Sequence, residues 1–261
     1  MKSKKKTRRK EVRIYDIDEN LILEVKDLHK TYTTGTIKVK ALQGINLQIK
    51  KGEFVAIIGP SGSGKTTLMN CLGALDFPDS GNIIYNMDLS GKGKDITEMN
   101  NQQHKDMRLN KIGLIFQFYN LFPVLTAYEN VELPLLIAKK DESLRKQKVL
   151  EMLKIVGIEE RMEHYPTQMS GGEQQRLTVA RSMVNDPLII IADEPTGELD
   201  TETTINMIKI FLKLKEAGQS ILMVTHNVRI AETTDRVLTL TDGKITGERK
   251  GGRNIDTIYE G

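Results

Sequence analysis

The sequence predicts an α/β fold: a mostly parallel sheet, an antiparallel β subdomain beside it, and an α-helical subdomain inserted into the chain between its strands. Continuous apolar runs at residues 54–58, 188–192 and 220–225 are short enough for strands and apolar enough to be covered on both faces. Helical patterns separate them, as a parallel sheet requires. Ile45, Leu47 and Ile49 alternate instead with Asn46 and Gln48, the mark of a half-buried antiparallel strand.

Residues 21–28 read as a further strand, with Tyr32 following in a polar loop beside Gly35. The run 54–58 then feeds Gly59, Pro60, Ser61, Gly62, Ser63, Gly64, Lys65, Thr66 and Thr67, and the apolar stretch 68–72 continues as a helix. A strand, a glycine-rich turn and a helix in that order form a phosphate-binding loop. Its glycines let backbone N–H groups converge on an anion, and the helix start adds its positive end. Lys65 can reach outer phosphates and the Thr66 hydroxyl can bind magnesium. Cys71, the sole cysteine, reads as a small core residue of that helix.

Residues 82–85 form another strand, and the polar stretch to about residue 110 reads as a surface loop with a short helix. Residues 111–116 are a strand with Gln117 at its carboxyl end. Helical character follows at 127–138 and 144–156, where Val149, Met152, Leu153 and Val156 share a core-facing stripe. Ser170, Gly171 and Gly172 open the next helix. The run 188–192 ends in Asp193 and Glu194, a helix over 201–217 stops at Gly218, and 220–225 delivers His226. Residues 236–245 make a hairpin around Asp242 and Gly243. The ligand crevice of such a sheet lies at strand carboxyl ends, which brings Gln117, Asp193, Glu194 and His226 together.

The expected organisation is a basic, disordered extension at 1–20, a core at 21–118 and 185–248, a helical subdomain at 119–184, and a tail at 249–261. The 261 residues suffice for a large core, and one cysteine points to a reducing, cytosolic setting. Of the 38 basic residues, seven fall within the first ten positions, leaving 31 against 35 acidic ones in a mildly acidic body. That balance disfavours nucleic acid as a partner. The tail is a solvated extension or a contact for anionic lipid at the cytoplasmic face. It has no apolar core behind it and is not a signal peptide. No run approaches transmembrane length, so any membrane role comes through a partner.

Phosphoryl transfer to water needs a phosphate cradle, a divalent ion, an oriented water and donors on the developing charge. Asp193 can hold magnesium opposite Thr66, and Glu194 can accept the proton of the attacking water. His226 is a contact for a terminal phosphate, or else a capping or core histidine.

The stretch from Met169 to Arg176, reading MSGGEQQR, resembles the signature of the ATP-binding cassette ATPases. Ala192-Asp193-Glu194-Pro195-Thr196 and Gly197-Glu198-Leu199-Asp200 follow at family spacing. The resemblance covers about residues 21–248. It implies a P-loop NTPase core of the ABC nucleotide-binding type, ATP and Mg2+ as cofactors, and hydrolysis of ATP coupled to transport. It also implies a head-to-tail homodimer with two ATP held between one copy's residues 59–67 and the other's Ser170, Gly171 and Gly172, with Asp200 at the seam. Tyr32 matches the aromatic residue that stacks on adenine, or is an ordinary exposed tyrosine. Gln117 matches the glutamine that senses magnesium. Met169, Glu173 and Glu198 depart from the usual pattern; Glu173 either brings negative charge near a phosphate and slows turnover, or points along the helix toward solvent.

Within the family the chain is similar to the ATPase subunits of lipoprotein-releasing and macrolide-exporting transporters, through residues 39–45, 75–81 and 112–121 and the pattern to Leu135. That implies a separate integral membrane permease docking near residues 117–125 and a place at the inner face of the membrane. A soluble cassette ATPase of DNA repair or translation would need a long coiled coil or a second cassette, which the sequence lacks. A division-related regulatory complex would use the same ATPase with a different permease.

Overall fold

The structure is a computed structural model that describes residues 12–259; the basic run from Lys2 to Lys10 lies outside the described residues. The described residues form two sheets. The first contains β1 (Ile14–Asp16), β2 (Leu21–Thr34), β3 (Ile37–Lys50), β5 (Ser80–Tyr85) and β6 (Lys92–Asp95), in the order β1-β6-β5-β2-β3 with every pairing antiparallel. The second contains β4 (Phe54–Ile58), β7 (Ile112–Ile115), β8 (Ile189–Asp193), β9 (Ser220–Val224), β10 (Arg236–Thr241) and β11 (Lys244–Lys250). Its order is β11-β10-β4-β9-β8-β7, parallel except for the hairpin to β11.

The apolar runs are continuous because both faces of the second sheet are covered. Phe54, Ala56, Ile190, Ala192, Ile221 and Met223 turn to one core, while Val55, Ile57, Ile189, Ile191, Leu222 and Val224 turn to another. The first core is filled by α3 (Ala127–Ile137), α4 (Glu142–Ile155), α5 (Gly171–Met183) and α6 (Thr201–Glu216), through Val131, Val149, Leu153, Leu177 and Phe211. The second is filled by α1 (Lys65–Leu72) and the antiparallel sheet, through Leu68, Leu23, Ile45, Ile49 and Tyr85. Arg236 bridges the sheets: its Nε and Nη2 reach Glu53 at 2.8 and 3.1 Å, and Nη2 also donates to the Gln48 carbonyl.

Four stretches differ from the sequence reading. Tyr32 is not in a loop, because β2 stays paired with β3 from Leu21 to Thr34 and turns only at Gly35, where φ is 62°. The stretch 1–20 is not wholly an extension, since Ile14–Asp16 pairs with β6. The polar stretch holds the strand β6 where a loop was expected, while the short helix expected there is present as α2 (Asn101–Asn110), started by a capping box between Asn100 and Gln103. The tail is part of the fold: β11 runs to Lys250, and α8 (Ile255–Tyr259) buries Ile255 in the first core while Asp256 pairs with Lys209 at 2.7 Å. A short α-helix, α7 (Val228–Ala231), follows β9. No helix among the described residues is long and apolar enough to cross a membrane.

Candidate nucleotide-binding site

The loop after β4 is set by close backbone contacts. Gly64 stands at the N-terminus of α1 with φ 103°, and a Cβ there would lie 2.4 Å from the Ala41 carbonyl oxygen. A Cβ on Gly59 would lie 2.1 Å from the Leu240 carbonyl oxygen. The loop is therefore wedged between β3 and β10, and only glycine fits at both positions. Lys65 folds over it, donating to the carbonyls of Gly59 at 2.8 Å and Pro60 at 2.9 Å. Ser63 is buried, and its hydroxyl has no partner among the described residues.

A cavity of about 900 Å³ opens above this loop. Ser61, Gly62, Gly64, Lys65, Thr66 and Thr67 line its floor, and Gln117, Asp193, Glu194 and His226 reach it from the carboxyl ends of the strands. Tyr32 closes one side. Gly59, Pro60 and Ser63 shape the loop beneath.

Burial raises the Asp193 carboxyl above the usual carboxylate range, and the charge of Glu194 adds to the shift; Thr66 and Lys65 oppose it. Glu194 has φ 46°, a left-handed backbone fixed by its N–H bonding the Val224 carbonyl at 2.8 Å. Its Oε2 lies 3.0 Å from His226 Nδ1, and this buried oxygen accepts no hydrogen bond from the described residues. A half-buried acid pair, a threonine hydroxyl and an unpartnered carboxylate oxygen suit a divalent cation and a water, while the amide-rich loop and Lys65 suit phosphates. The residues thus fit both magnesium and a nucleoside triphosphate.

Gln117 donates from Nε2 to Glu198 Oε1 at 3.1 Å. Tyr119 lies against the start of α5, where a Cβ on Gly171 would be 2.9 Å from its hydroxyl, and Arg181 binds the carbonyls of Tyr119 and Asn120 at 3.0 and 2.7 Å.

Ser170, Gly171, Gly172 and Asp200 do not line the cavity. Ser170 caps α5 in a reciprocal box with Glu173: the Ser170 N–H donates to Glu173 Oε2 at 2.8 Å, and the Glu173 N–H to Ser170 Oγ at 3.3 Å. Arg161 Nε binds the other Glu173 oxygen at 2.9 Å. The Glu173 charge is accordingly absorbed by the helix start and Arg161, which removes the reason to expect repulsion of a phosphate. Asp200 caps α6 through the Thr203 N–H and hydroxyl, both at 2.8 Å.

Sequence reasoning missed Lys38, Lys40 and Asp242 among the lining residues. Lys38 and Lys40 stand two apart on β3, a spacing that sets both on one face and is the one signal that reveals them.

The fold and the loop define a P-loop nucleotide triphosphatase. Residues 42–197 match the family described as ABC transporter, and the chain belongs to that family. It is therefore an ABC ATPase, the ATP-binding component of a transporter. It is 43% identical over 231 residues to an uncharacterized ABC transporter ATP-binding protein of Thermotoga maritima, covering 88% of this chain and 96% of that protein. It is 43% identical to the lipoprotein-releasing system ATP-binding protein LolD of Cytophaga hutchinsonii, covering 86% of this chain and 98% of that one. Against the macrolide export ATP-binding/permease protein MacB of Chlorobaculum tepidum identity is 43% over 88% of this chain, which spans only 34% of that protein. A solved dimeric ATP-binding cassette in a post-hydrolysis state with ADP and Pi superposes with a TM-score of 0.79 at 39% identity, covering 89% of this chain and all (100%) of that one.

Proposed function

We propose that two copies of this chain close head to tail on two ATP molecules and that this closure drives a separate membrane permease of the lipoprotein-release or macrolide-export type. The observation that carries the reading is the division of the motifs. The loop at 59–67, Asp193, Glu194 and His226 share a cavity, whereas Ser170, Gly171, Gly172 and Asp200 sit outside it at two capped helix starts. A helix start is an anion site, and a second copy supplies the missing half of each pocket. The solved relative is itself dimeric, and LolD and MacB are named for lipoprotein release and macrolide export.

In this reading the loop amides and Lys65 bind and orient the phosphates. Thr66 and Asp193, with Gln117 beside them, hold magnesium, which supplies neutralising charge when bound. Glu194 accepts the proton of the attacking water at its donor-free oxygen, and His226 contacts the terminal phosphate. Tyr32 receives the adenine.

The docking face is the loop after Gln117. Phe118, Phe122 and Val124 are 71%, 48% and 77% exposed, an apolar patch that calls for a partner. Its place is the inner face of the membrane, where the basic run at the chain's start meets anionic lipid. Affinity purification from membranes in mild detergent is expected to recover a stoichiometric multispanning protein, and F118E/V124E to lose it without unfolding. Unchanged recovery by that variant contradicts the docking face.

A further inference from the structure

We propose that Asp76 and Lys30 are positioning residues for the nucleotide base, fixing Tyr32 as a platform with one ring face covered and the other presented to the cavity. The proposal rests on reading the cavity as the nucleotide site and extends it to two residues outside the cavity lining.

Tyr32 stands near the tip of the β2–β3 hairpin and is 39% exposed, a place where a tyrosine ring is ordinarily free to change rotamer. Here its hydroxyl donates to Asp76 Oδ2 at 2.6 Å. The other oxygen, Oδ1, accepts from Lys30 Nζ at 2.8 Å and from the Phe77 N–H at 2.7 Å. Lys30 Nζ also donates to the Phe77 carbonyl at 2.6 Å. The loop behind α1 is stitched to β2 twice more, by the Thr31 N–H to Asp79 Oδ2 at 2.7 Å and the Asp79 N–H to the His29 carbonyl at 2.8 Å. Asp76 thus belongs to a loop that cannot swing away from the strand bearing Tyr32.

Lys30 also acts on the ring itself. Its Nζ stands 5.1 Å from the Tyr32 centroid, within reach of the ring quadrupole. Tyr32 lines the cavity and Lys30 does not, so the ammonium is assigned to the ring face opposite the cavity. A base stacking on the opposite face meets a ring whose orientation is already set, and loses less freedom on binding. Burial alone would raise Asp76, but its bonds from Lys30 and Tyr32 outweigh that and hold it below the usual carboxylate range. Burial first, and then the bond to Asp76, push the Tyr32 phenol up. Both shifts agree with a phenol that keeps its proton and donates it to an ionised Asp76.

The test is calorimetric binding of ADP, which carries a base, against inorganic pyrophosphate, which does not, using the full chain. A stacked aromatic pair contributes about 0.5–1.5 kcal/mol, so Tyr32→Ala is expected to weaken ADP binding by roughly 2- to 13-fold and leave pyrophosphate unchanged. Asp76→Ala and Lys30→Met are expected to weaken ADP by about 2- to 5-fold, again sparing pyrophosphate, while Asp76→Asn keeps an acceptor and recovers most of the loss. Asp76→Ala added to Tyr32→Ala is expected to cost nothing more, since both remove one platform. Normal ADP binding by Asp76→Ala and Lys30→Met beside a weakened Tyr32→Ala overturns the proposal and leaves the nucleotide site standing. Normal ADP binding by Tyr32→Ala overturns the platform reading itself. Parallel loss of ADP and pyrophosphate in Asp76→Ala assigns Asp76 to the loop's general structure and also overturns the proposal.

Discussion

Gly172 at the start of α5 and Thr203 in the first turn of α6 meet so closely that a Cβ on Gly172 would lie 2.4 Å from Thr203 Cγ2. Thr203 is held there by both oxygens of Asp200. The two helix starts proposed to face a second copy are therefore one packed unit. Gly172→Ala is expected to destabilise the protein by about 1–3 kcal/mol through overpacking. Thr203→Ser removes the clashing methyl but keeps the hydroxyl on Asp200, so adding it should restore most of the loss. Denaturant unfolding of both single variants and the double variant checks this; independent, additive losses contradict it.

Glu173 acts as a helix-capping residue. Glu173→Ala is expected to lower stability by about 1 kcal/mol, and Glu173→Gln, which preserves the box, by clearly less. The Ser170 N–H first, with Arg161 assisting against burial, holds the carboxyl below the usual range. Its contribution is thus complete above the ordinary glutamate value of about 4.3 and is lost as pH falls through the lower folded value. Unfolding free energies measured from pH 5 downward should fall less steeply in Glu173→Gln than in the parent. An identical slope removes this role.

Lys65 donates to two loop carbonyls, in a loop whose shape its glycines already fix. Lys65→Ala should leave the melting temperature nearly unchanged while weakening ADP by roughly 10- to 100-fold, as loss of a charged hydrogen-bond donor of about 1.5–3 kcal/mol implies. Equilibrium binding at fixed magnesium measures it, and parent-like affinity excludes Lys65 from the phosphate site.

Burial pushes the Cys71 thiol up to about 12, with the charge of Asp76 adding to the shift. At neutral pH it stays a protonated core residue. Mass spectrometry after a thiol-directed alkylating agent should show no labelling of the native protein and full labelling in denaturant. Rapid native labelling would contradict the core assignment.

What was legible in the sequence was whatever is local. Phe54–Ile58, Ile189–Asp193 and Ser220–Val224 announce buried strands because both faces are covered, and the carboxyl ends of the latter two place Asp193, Glu194 and His226. The strand Lys92–Asp95 gave no such signal: its four residues are Lys, Gly, Lys and Asp, and it is held by backbone pairing to β5 and β1. Asp95 is fully buried there, its carboxylate accepting from the Asn82 side chain, the Ile83 N–H and the N–H and hydroxyl of Thr97. Pairings across long separations were equally hidden, such as Tyr32 with Asp76, 44 residues on, or Gln117 with Glu198, 81 residues on. Glu173 stood open between two readings because its charge was visible and its partner Arg161 was not.

The most direct test of the account is size-exclusion chromatography of Glu194→Gln with and without ATP, alongside its hydrolysis rate. Glu194 is the proposed proton acceptor, and its backbone is fixed by Val224 independently of the carboxylate. The account predicts a variant that binds ATP, elutes as a dimer only with ATP present, and turns over at no more than about a hundredth of the parent rate, the lower end of what a general base contributes. A variant that stays monomeric with ATP and hydrolyses it at the parent rate would contradict both the role of Glu194 and the closed dimer.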